Sequence, residues 1–160
     1  MSPAINIIRT PLGGRTYEYF TEDPFLNKKL TVPFIVGLQE NDVAACVKHY
    51  AANNQEYQRH RIEEIISERA LREIYYPAFK AAVQEGGCWT VMSAYNLVNG
   101  CFASEHEELL TRILRDAWGF KGFVVSDWGA IHDRVQGVIA GTNLEMPGSG
   151  DYNRKKIIAA

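Results

Sequence analysis

The chain has 160 residues, a hydrophobic content of 46% and a formal net charge of -2 at pH 7. This length can bury one hydrophobic core, and the interspersed charges exclude a charge-driven partner such as nucleic acid or an anionic membrane surface. No apolar run approaches the ~20 residues that a membrane span needs, and the N-terminus lacks a secretory-signal pattern. The composition leaves the cellular compartment open.

The first elements in chain order are a strand and a helix. The apolar run from Ala4 to Ile8 predicts a strand. A helix is predicted from Asp23-Pro24 toward Gly37, with the aspartate as N-cap and the proline at the first helical position. Pro33 should kink this helix or end it early, because it removes a backbone donor.

A second strand and helix follow. The run from Val43 to Val47 predicts a buried strand, and Ser67 caps a helix that extends through Gln84. Apolar residues at helical spacing form one stripe along this segment. Pro77 lies inside it and predicts a second kink.

Two further strands are predicted from Trp89 to Ser93 and from Gly122 to Ser126, and a weaker one from Thr142 to Leu144. Between the first two, Ser104 and Glu107 form a capping box for a helix that ends near Gly119.

The last predicted helices lie beyond the Gly122 to Ser126 strand. Residues Ile131 to Ile139 give one of them, ended by Gly141, and another begins near Asn153.

Strands that alternate with helices in this way indicate an α/β fold with a parallel sheet. About five βα units can be counted, whereas a complete (β/α)8 barrel has eight and typically ~250 residues. The expected fold is therefore a partial TIM-type barrel over residues 1-160. A self-standing, doubly wound sheet of five strands is the alternative.

Polar residues follow the predicted strands, and in parallel α/β folds these positions converge on one rim where ligands bind. The four strand ends carry Lys48-His49, Tyr95-Asn96, Asp127-Trp128 and Glu145. Charged and amide groups beside an aromatic ring are typical of a site for a polyhydroxylated, neutral ligand.

Asp127 is the strongest candidate for a catalytic residue. Its carboxylate follows a buried strand, and the amides of a helix expected to begin near Gly129 would favour the charged form that a nucleophile needs. The alternative is that Asp127 only caps that helix.

Four basic residues allow more than one interpretation. Lys48 could form a Schiff base or act as a fixed cation, and His49 could be a hydrogen-bonded core histidine. Arg15 follows two glycines in a turn, and Arg59 follows a polar stretch; either could be an ordinary surface arginine.

Metal and disulfide chemistry receive no support from the pattern. The histidines and cysteines lack the spacing of a metal site, and an odd number of cysteines does not favour a disulfide framework. These residues are Cys46, Cys88 and Cys101, and His49, His60, His106 and His132.

Four separate segments together resemble successive signatures of the β-glucosidases of glycoside hydrolase family 3, in the family's order. They are Gly14-Arg-Thr-Tyr-Glu-Tyr-Phe-Thr-Glu-Asp-Pro24, Lys48-His-Tyr-Ala-Ala-Asn-Asn-Gln-Glu56, Ser93-Ala-Tyr-Asn96 and Ser126-Asp-Trp-Gly129. The resemblance extends from about Pro3 to Gly148.

The resemblance implies a role for each matching residue. Asp127 matches the catalytic nucleophile, and Trp128 matches the aromatic wall of the sugar site. The remaining positions match residues that bind sugar hydroxyls or line the same pocket: Arg15, Lys48, His49, Arg59, Met92 and Tyr95.

The implied activity is retaining hydrolysis of terminal β-D-glucosyl residues from a β-glucoside or oligosaccharide, without metal or cofactor. A retaining enzyme needs a second carboxyl group as acid/base. In the family this is a glutamate of a following α/β sandwich domain, which residues 1-160 do not include. The family also has an aspartate that binds sugar hydroxyls, and the resemblance implies that it lies on an earlier barrel strand, outside residues 1-160. Activity of this stretch alone should therefore be impaired.

Three alternatives remain. A β-xylosidase or α-L-arabinofuranosidase would share much of this site, although Trp128 favours a glucosidase. A Schiff-base aldolase built on Lys48 is another class of enzyme. The third is a non-catalytic, truncated barrel, which we expect to self-associate through the open edges of its sheet.

Overall fold

The computed structural model describes residues 1-160 and contains two three-stranded sheets. The strands are β1 (Cys46–Tyr50), β2 (Glu63–Glu64), β3 (Thr90–Ser93), β4 (Leu97–Val98), β5 (Cys101–Phe102) and β6 (Phe123–Val125). The larger sheet has the order β1-β3-β6 with all strands parallel, and the smaller sheet has the order β2-β4-β5.

The larger sheet continues by one residue pair at each edge. Ala4 bridges Lys48 and Leu144 bridges Val125, and both bridges are parallel. The first and last predicted strands therefore pair in the sheet, although each is reduced to an isolated bridge. Five parallel strand positions lie side by side in chain order, as in consecutive strands of a (β/α)8 barrel.

Each of these strand positions is followed by a helix. They are α1 (Pro24–Gln39), α2 (an α-helical turn Glu68–Ala70, a π-helical stretch Leu71–Tyr75 and an α-helix Tyr76–Gln84), α3 (the π-helical Glu108–Ala117), α4 (Arg134–Ala140) and α5 (Asp151–Ala159). The prediction of an α/β fold with about five βα units is confirmed. None of the helices is both long and apolar enough to cross a membrane.

The prediction that Pro33 could end α1 early is wrong, since the helix runs on to Gln39. Asp23 caps its start as expected, accepting a hydrogen bond from the Phe25 amide at 2.8 Å. Thr31 and Ile35 bury the inner face, whereas Pro33 lies on the exposed face. Packing on both sides of the proline therefore keeps the helix in register across the missing hydrogen bond.

Pro77 has a visible effect on α2. The helix widens to a π-helical stretch just before the proline, and the Tyr76 amide bonds to the Leu71 carbonyl, five residues back. A widened helical turn is one way to accommodate a proline, which cannot donate the backbone hydrogen bond of a regular helix.

Two predicted boundaries need correction. Val43 is exposed and β1 begins at Cys46, so Lys48 and His49 lie within the last three residues of the strand. The capping box is wrong: α3 begins only at Glu108, and the buried Ser104 hydroxyl contacts the Ser93 hydroxyl at 3.1 Å instead.

The main core lies between the sheet and its helices. Tyr50 is fully buried there, with its ring 5.0 Å from that of Phe79 and 5.8 Å from that of Trp118, and its hydroxyl donates to the Leu109 carbonyl at 3.1 Å. The other face of the sheet carries a small cluster of Cys46, Met92 and Val125, with Met146 packed against it.

Candidate active site

The predicted catalytic and binding residues meet at the carboxyl ends of the parallel strands. Lys48 and His49 lie near the end of β1, Tyr95 lies two residues after β3, and Asp127 lies two residues after β6. Parallel strands bring these ends to one rim. His49 and Asp127 are in contact there, with 3.3 Å between Nε2 and Oδ2.

The two carboxylate oxygens of Asp127 have different surroundings. Oδ1 accepts a hydrogen bond from the Trp128 amide at 2.8 Å, whereas Oδ2 is buried and has no hydrogen-bond partner. Asp127 does not cap the next helix, because α4 begins at Arg134 and is capped by Asp133. The expected set of helix-start amides is therefore replaced by one amide, and one oxygen is left free.

His49 is a neutral imidazole. Burial, followed by the positive charges of Arg15, Lys48 and Arg59, lowers its pKa from 6.5 to about 2. The Arg15 guanidinium lies 3.0 Å from Nε2 and can only donate, so Nε2 accepts this hydrogen bond. The short contact between His49 and Asp127 is therefore neither an ion pair nor a hydrogen bond.

Arg15 is the buried centre of an ion-pair network whose other members are partly exposed. Its Nε donates to Glu18 at 2.6 Å and its Nη1 donates to Glu56 at 3.0 Å. Paired, hydrogen-bonded charges are the form in which an arginine is tolerated when buried. All three guanidinium nitrogens thus have partners, and the plane of the group is fixed.

Lys48 and Arg59 each form an ion pair with one of the two glutamates that bind Arg15. Lys48 Nζ lies 3.2 Å from Glu18, and Arg59 Nη1 lies 3.0 Å from Glu56. A Schiff-base lysine presents its amine to a carbonyl substrate, whereas Lys48 Nζ is held against the Glu18 carboxylate. The arrangement favours a fixed cation over an aldolase lysine.

Tyr95 connects Arg59 to the aspartate. Its ring lies 5.0 Å from the Arg59 guanidinium carbon and meets the His60 ring edge-on at 4.5 Å. Burial and the neighbouring Asp127 carboxylate raise the pKa of the Tyr95 phenol to about 12. The phenol therefore remains a hydrogen-bond donor at neutral pH.

Trp128 is exposed to solvent, whereas Met92 is buried. The Trp128 side chain is 62% exposed at the rim, whereas Met92 is 5% exposed in the cluster with Cys46 and Val125. Trp128 is free to cover a ligand, and Met92 contributes packing below the rim.

Several residues of the site were not singled out from the sequence. They are Asn6, Tyr19, Glu18, Glu56 and His60. Glu18 and Glu56 lie inside the family-like segments, and the opposite charges of Arg15 and Glu18, three residues apart, were an available signal. No group of three or more histidine, cysteine or acidic side chains is placed to hold a metal ion.

The fold and this rim define a class of protein. The family described as "Glycosyl hydrolase family 3 N terminal domain" matches residues 1–149. The chain belongs to glycosyl hydrolase family 3.

Individual members of the family are highly similar to this chain. It is 51% identical over 160 residues to thermostable beta-glucosidase B of Acetivibrio thermocellus, covering 100% of this chain and 21% of that protein. It is 49% identical over the same length to an exo-alpha-(1->6)-L-arabinopyranosidase of Bifidobacterium breve, again 100% of this chain and 21% of the relative.

Solved structures agree with the fold. The GH3 beta-glucosidase of Bifidobacterium adolescentis superposes with a TM-score of 0.95 at 49% identity, over 99% of this chain and 23% of that one. Beta-glucosidase 3B of Thermotoga neapolitana in complex with alpha-D-glucose gives 0.96 at 45% identity, over 100% and 23%. The chain spans about a fifth of the length of these relatives.

Proposed function

We propose that residues 1-160 form the nucleophile-bearing part of the catalytic barrel of a retaining β-glucosidase, which hydrolyses terminal, non-reducing β-D-glucosyl residues. The observation that carries the proposal is Asp127 Oδ2, a buried carboxylate oxygen without a hydrogen-bond partner at the rim of the sheet. A nucleophile must present such an oxygen to the reacting carbon.

The reaction has two steps. Asp127 Oδ2 attacks the anomeric carbon and the bond to the aglycone oxygen breaks. That oxygen takes a proton from an acid/base carboxyl group, which a retaining enzyme places ~5 to 5.5 Å from the nucleophile carboxylate. A glutamate outside residues 1-160 supplies this group. In the second step the same glutamate takes a proton from water, whose oxygen replaces the aspartate, so two inversions give retention.

The remaining rim residues hold the sugar. Arg15, Lys48 and Arg59 present donors to its hydroxyl oxygens. His49 Nε2 can accept a hydrogen bond from a sugar hydroxyl in place of the one from Arg15. Tyr95 lies beside the nucleophile, and the exposed Trp128 ring covers the apolar face of the sugar. The three cations are paired with Glu18 and Glu56, which fits a neutral substrate.

An arabinopyranosidase is the second candidate. Two of the similar relatives are named exo-alpha-(1->6)-L-arabinopyranosidases, at 49% identity over the whole of this chain. An α-L-arabinopyranoside lacks the hydroxymethyl group of a β-D-glucoside and has the opposite configuration at its 4-hydroxyl, so the two activities differ by contacts to these two positions. β-Xylosidase and α-L-arabinofuranosidase activity are tested by the same comparison of substrates.

A segment exchange tests the proposed function. Residues 1-160 replace the matching segment of the Bifidobacterium adolescentis β-glucosidase, which supplies the rest of the enzyme. We expect the chimera to hydrolyse an aryl β-D-glucoside faster than the corresponding arabinosides and xyloside. An activated 2-deoxy-2-fluoro glucoside should label the peptide that contains Asp127.

Substitution separates the nucleophile from a structural carboxylate. Asp127→Ala should lower kcat of the chimera at least about a thousandfold, even for an activated aryl glucoside that needs no protonation. Asp116→Ala, at an exposed position, is the matched control and should keep full activity. A label on a residue other than Asp127, or a preference for an arabinopyranoside, would overturn the assignment.

A further inference from the structure

No role was predicted for Tyr19, yet it contacts the ring of His49 from beneath the rim. Its hydroxyl lies 3.1 Å from His49 Nδ1 and donates to the Asn53 carbonyl at 2.5 Å. Asn6 Nδ2 lies 3.3 Å from the same oxygen. All of these groups are buried, so each proton position follows from the available donors and acceptors.

The Tyr19 side determines the proton on Nδ1. A phenol has one proton, and that of Tyr19 is directed at the Asn53 carbonyl, which can only accept. The amide of Asn6 is oriented by its own contacts, because Oδ1 accepts from the Ala52 amide and Nδ2 donates to the His49 carbonyl. Toward His49, the Tyr19 oxygen can therefore only accept, and Nδ1 must carry the hydrogen.

The Arg15 side gives the same answer independently. The guanidinium group has no acceptor, so Nε2, 3.0 Å from Nη2, must present its lone pair. A hydrogen on Nε2 would place two donors against each other. The two ends of the imidazole thus agree on one tautomer.

We propose that Tyr19 is a positioning residue that holds His49 in the Nδ1-H tautomer, so that His49 accepts at Nε2 and presents no N–H to the neighbouring Asp127 Oδ2. Nε2 lies 3.3 Å from Oδ2, and the opposite tautomer would replace its lone pair with a partly positive N–H hydrogen. The positive charge of that hydrogen would stabilise the carboxylate lone pair that has to attack. This consequence for Asp127 rests on the proposed function, whereas the tautomer does not.

The tautomer can be measured on the 160-residue chain itself, without any activity. With histidine labelled by nitrogen-15, a two-bond proton–nitrogen correlation spectrum distinguishes protonated from bare ring nitrogens. His60→Gln, His106→Gln and His132→Gln assign the His49 signals by elimination. We expect a protonated Nδ1 and a bare Nε2 at neutral pH. A protonated Nε2 in the wild-type chain would overturn the proposal.

Tyr19→Phe tests the cause. Without the phenol oxygen, the Nδ1 hydrogen is buried without an acceptor, while Arg15 keeps Glu18 and Glu56 as partners. We expect the His49 signals to move toward the Nε2-H tautomer. Tyr17→Phe, an exposed phenol two residues away, is the control and should leave the spectrum unchanged. A Tyr19→Phe spectrum identical to the wild type would show that Arg15 alone sets the tautomer.

The consequence for catalysis is measured separately in the chimera. Tyr19→Phe should lower kcat about tenfold or more and raise KM, because Asp127 Oδ2 gains a partly positive neighbour and His49 Nε2 no longer accepts from a sugar hydroxyl. An unchanged kcat with a shifted tautomer would overturn the catalytic part alone. An inactive parent chimera would count against the proposed function and leave the nuclear magnetic resonance result standing.

Discussion

Glu56 is shared by two of the cations that line the rim. One of its oxygens accepts from Arg15 and the other from Arg59, each at 3.0 Å. Because both arginines are oriented by the same carboxylate, a displacement of Glu56 should disturb two of the proposed sugar contacts together. The space for Glu56 depends in turn on Gly14, since a Cβ atom there would lie 2.6 Å from Glu56 Cγ.

Gly14→Ala should therefore weaken sugar binding although residue 14 carries no functional group. We expect kcat/KM of the chimera to fall by roughly tenfold, and the free energy of unfolding to fall by about 1–3 kcal/mol, through overpacking against Glu56. Steady-state kinetics and urea unfolding measure the two effects. Gly148→Ala, where an added Cβ meets nothing within 4 Å, is the control. Equal activity of both variants would contradict the role assigned to Glu56.

His49 should make the fold sensitive to acid. Its pKa is about 2 in the folded chain and ~6.5 when unfolded, so below pH ~6.5 only the unfolded chain gains this proton. Its contribution is complete above that pH and is lost as the pH falls, by about 1.4 kcal/mol per pH unit.

The prediction is that His49→Gln removes part of the pH dependence. Between about pH 7 and about pH 5, the wild type should lose about 2 kcal/mol more stability than this variant, measured by urea unfolding. His132→Gln, at an exposed position, should behave as the wild type. Parallel curves for wild type and His49→Gln would show that folding does not lower the pKa of His49.

At the scale of elements, α1 shows how packing outweighs local preference. Proline in a helix interior removes a hydrogen bond and costs about 3 kcal/mol relative to alanine. The helix nevertheless continues, because the buried Thr31 and Ile35 on either side of Pro33 fix its inner face. Tertiary contacts thus hold together a segment that its sequence alone would interrupt.

Pro33→Ala should stabilise the chain by about 1–3 kcal/mol, since it restores the hydrogen bond that the helix lacks. Gly37→Ala in the same helix is the comparison, with an expected gain of about 1 kcal/mol and open space for its methyl group. Urea unfolding measures both. A loss of stability in Pro33→Ala would show that the proline ring itself contributes packing.

At the scale of the whole molecule, five parallel strand positions leave two edges, at Ala4 and at Leu144. The cluster of Cys46, Met92 and Val125 on the helix-free face is nevertheless buried. Apolar surface is exposed elsewhere, on α1, where five large side chains reach solvent. These are Phe25, Leu26, Leu30, Phe34 and Val36.

We therefore predict that the 160-residue chain self-associates in solution. Unpaired sheet edges and exposed apolar side chains are features that recruit partners. Sedimentation velocity should show dimers or larger species whose proportion rises with concentration. Leu144→Lys at the sheet edge should shift the distribution toward monomer, whereas Ile65→Lys, at another exposed position, should not. A concentration-independent monomer would contradict the prediction.

The sequence by itself determined the order of the elements and most of the rim. Strands and helices have different periods, so the alternation of β and α could be read directly, and polar residues after the apolar runs marked Tyr95 and Asp127. The two-residue strands β2, β4 and β5 were missed, because a pair of residues has no period. The start of β1 was misplaced because Val43 continues an apolar run outside the sheet.

Only the tertiary structure decided how the rim residues are connected. Arg15 and Glu56 lie 41 positions apart in the chain, and Tyr19 and His49 lie 30 apart, yet each pair is in hydrogen-bond contact. A local pattern carries no record of such pairings, since they arise when separate strands place their ends at one rim. The protonation of His49 and the free oxygen of Asp127 depend on these contacts, because proton positions are set by donors and acceptors in space.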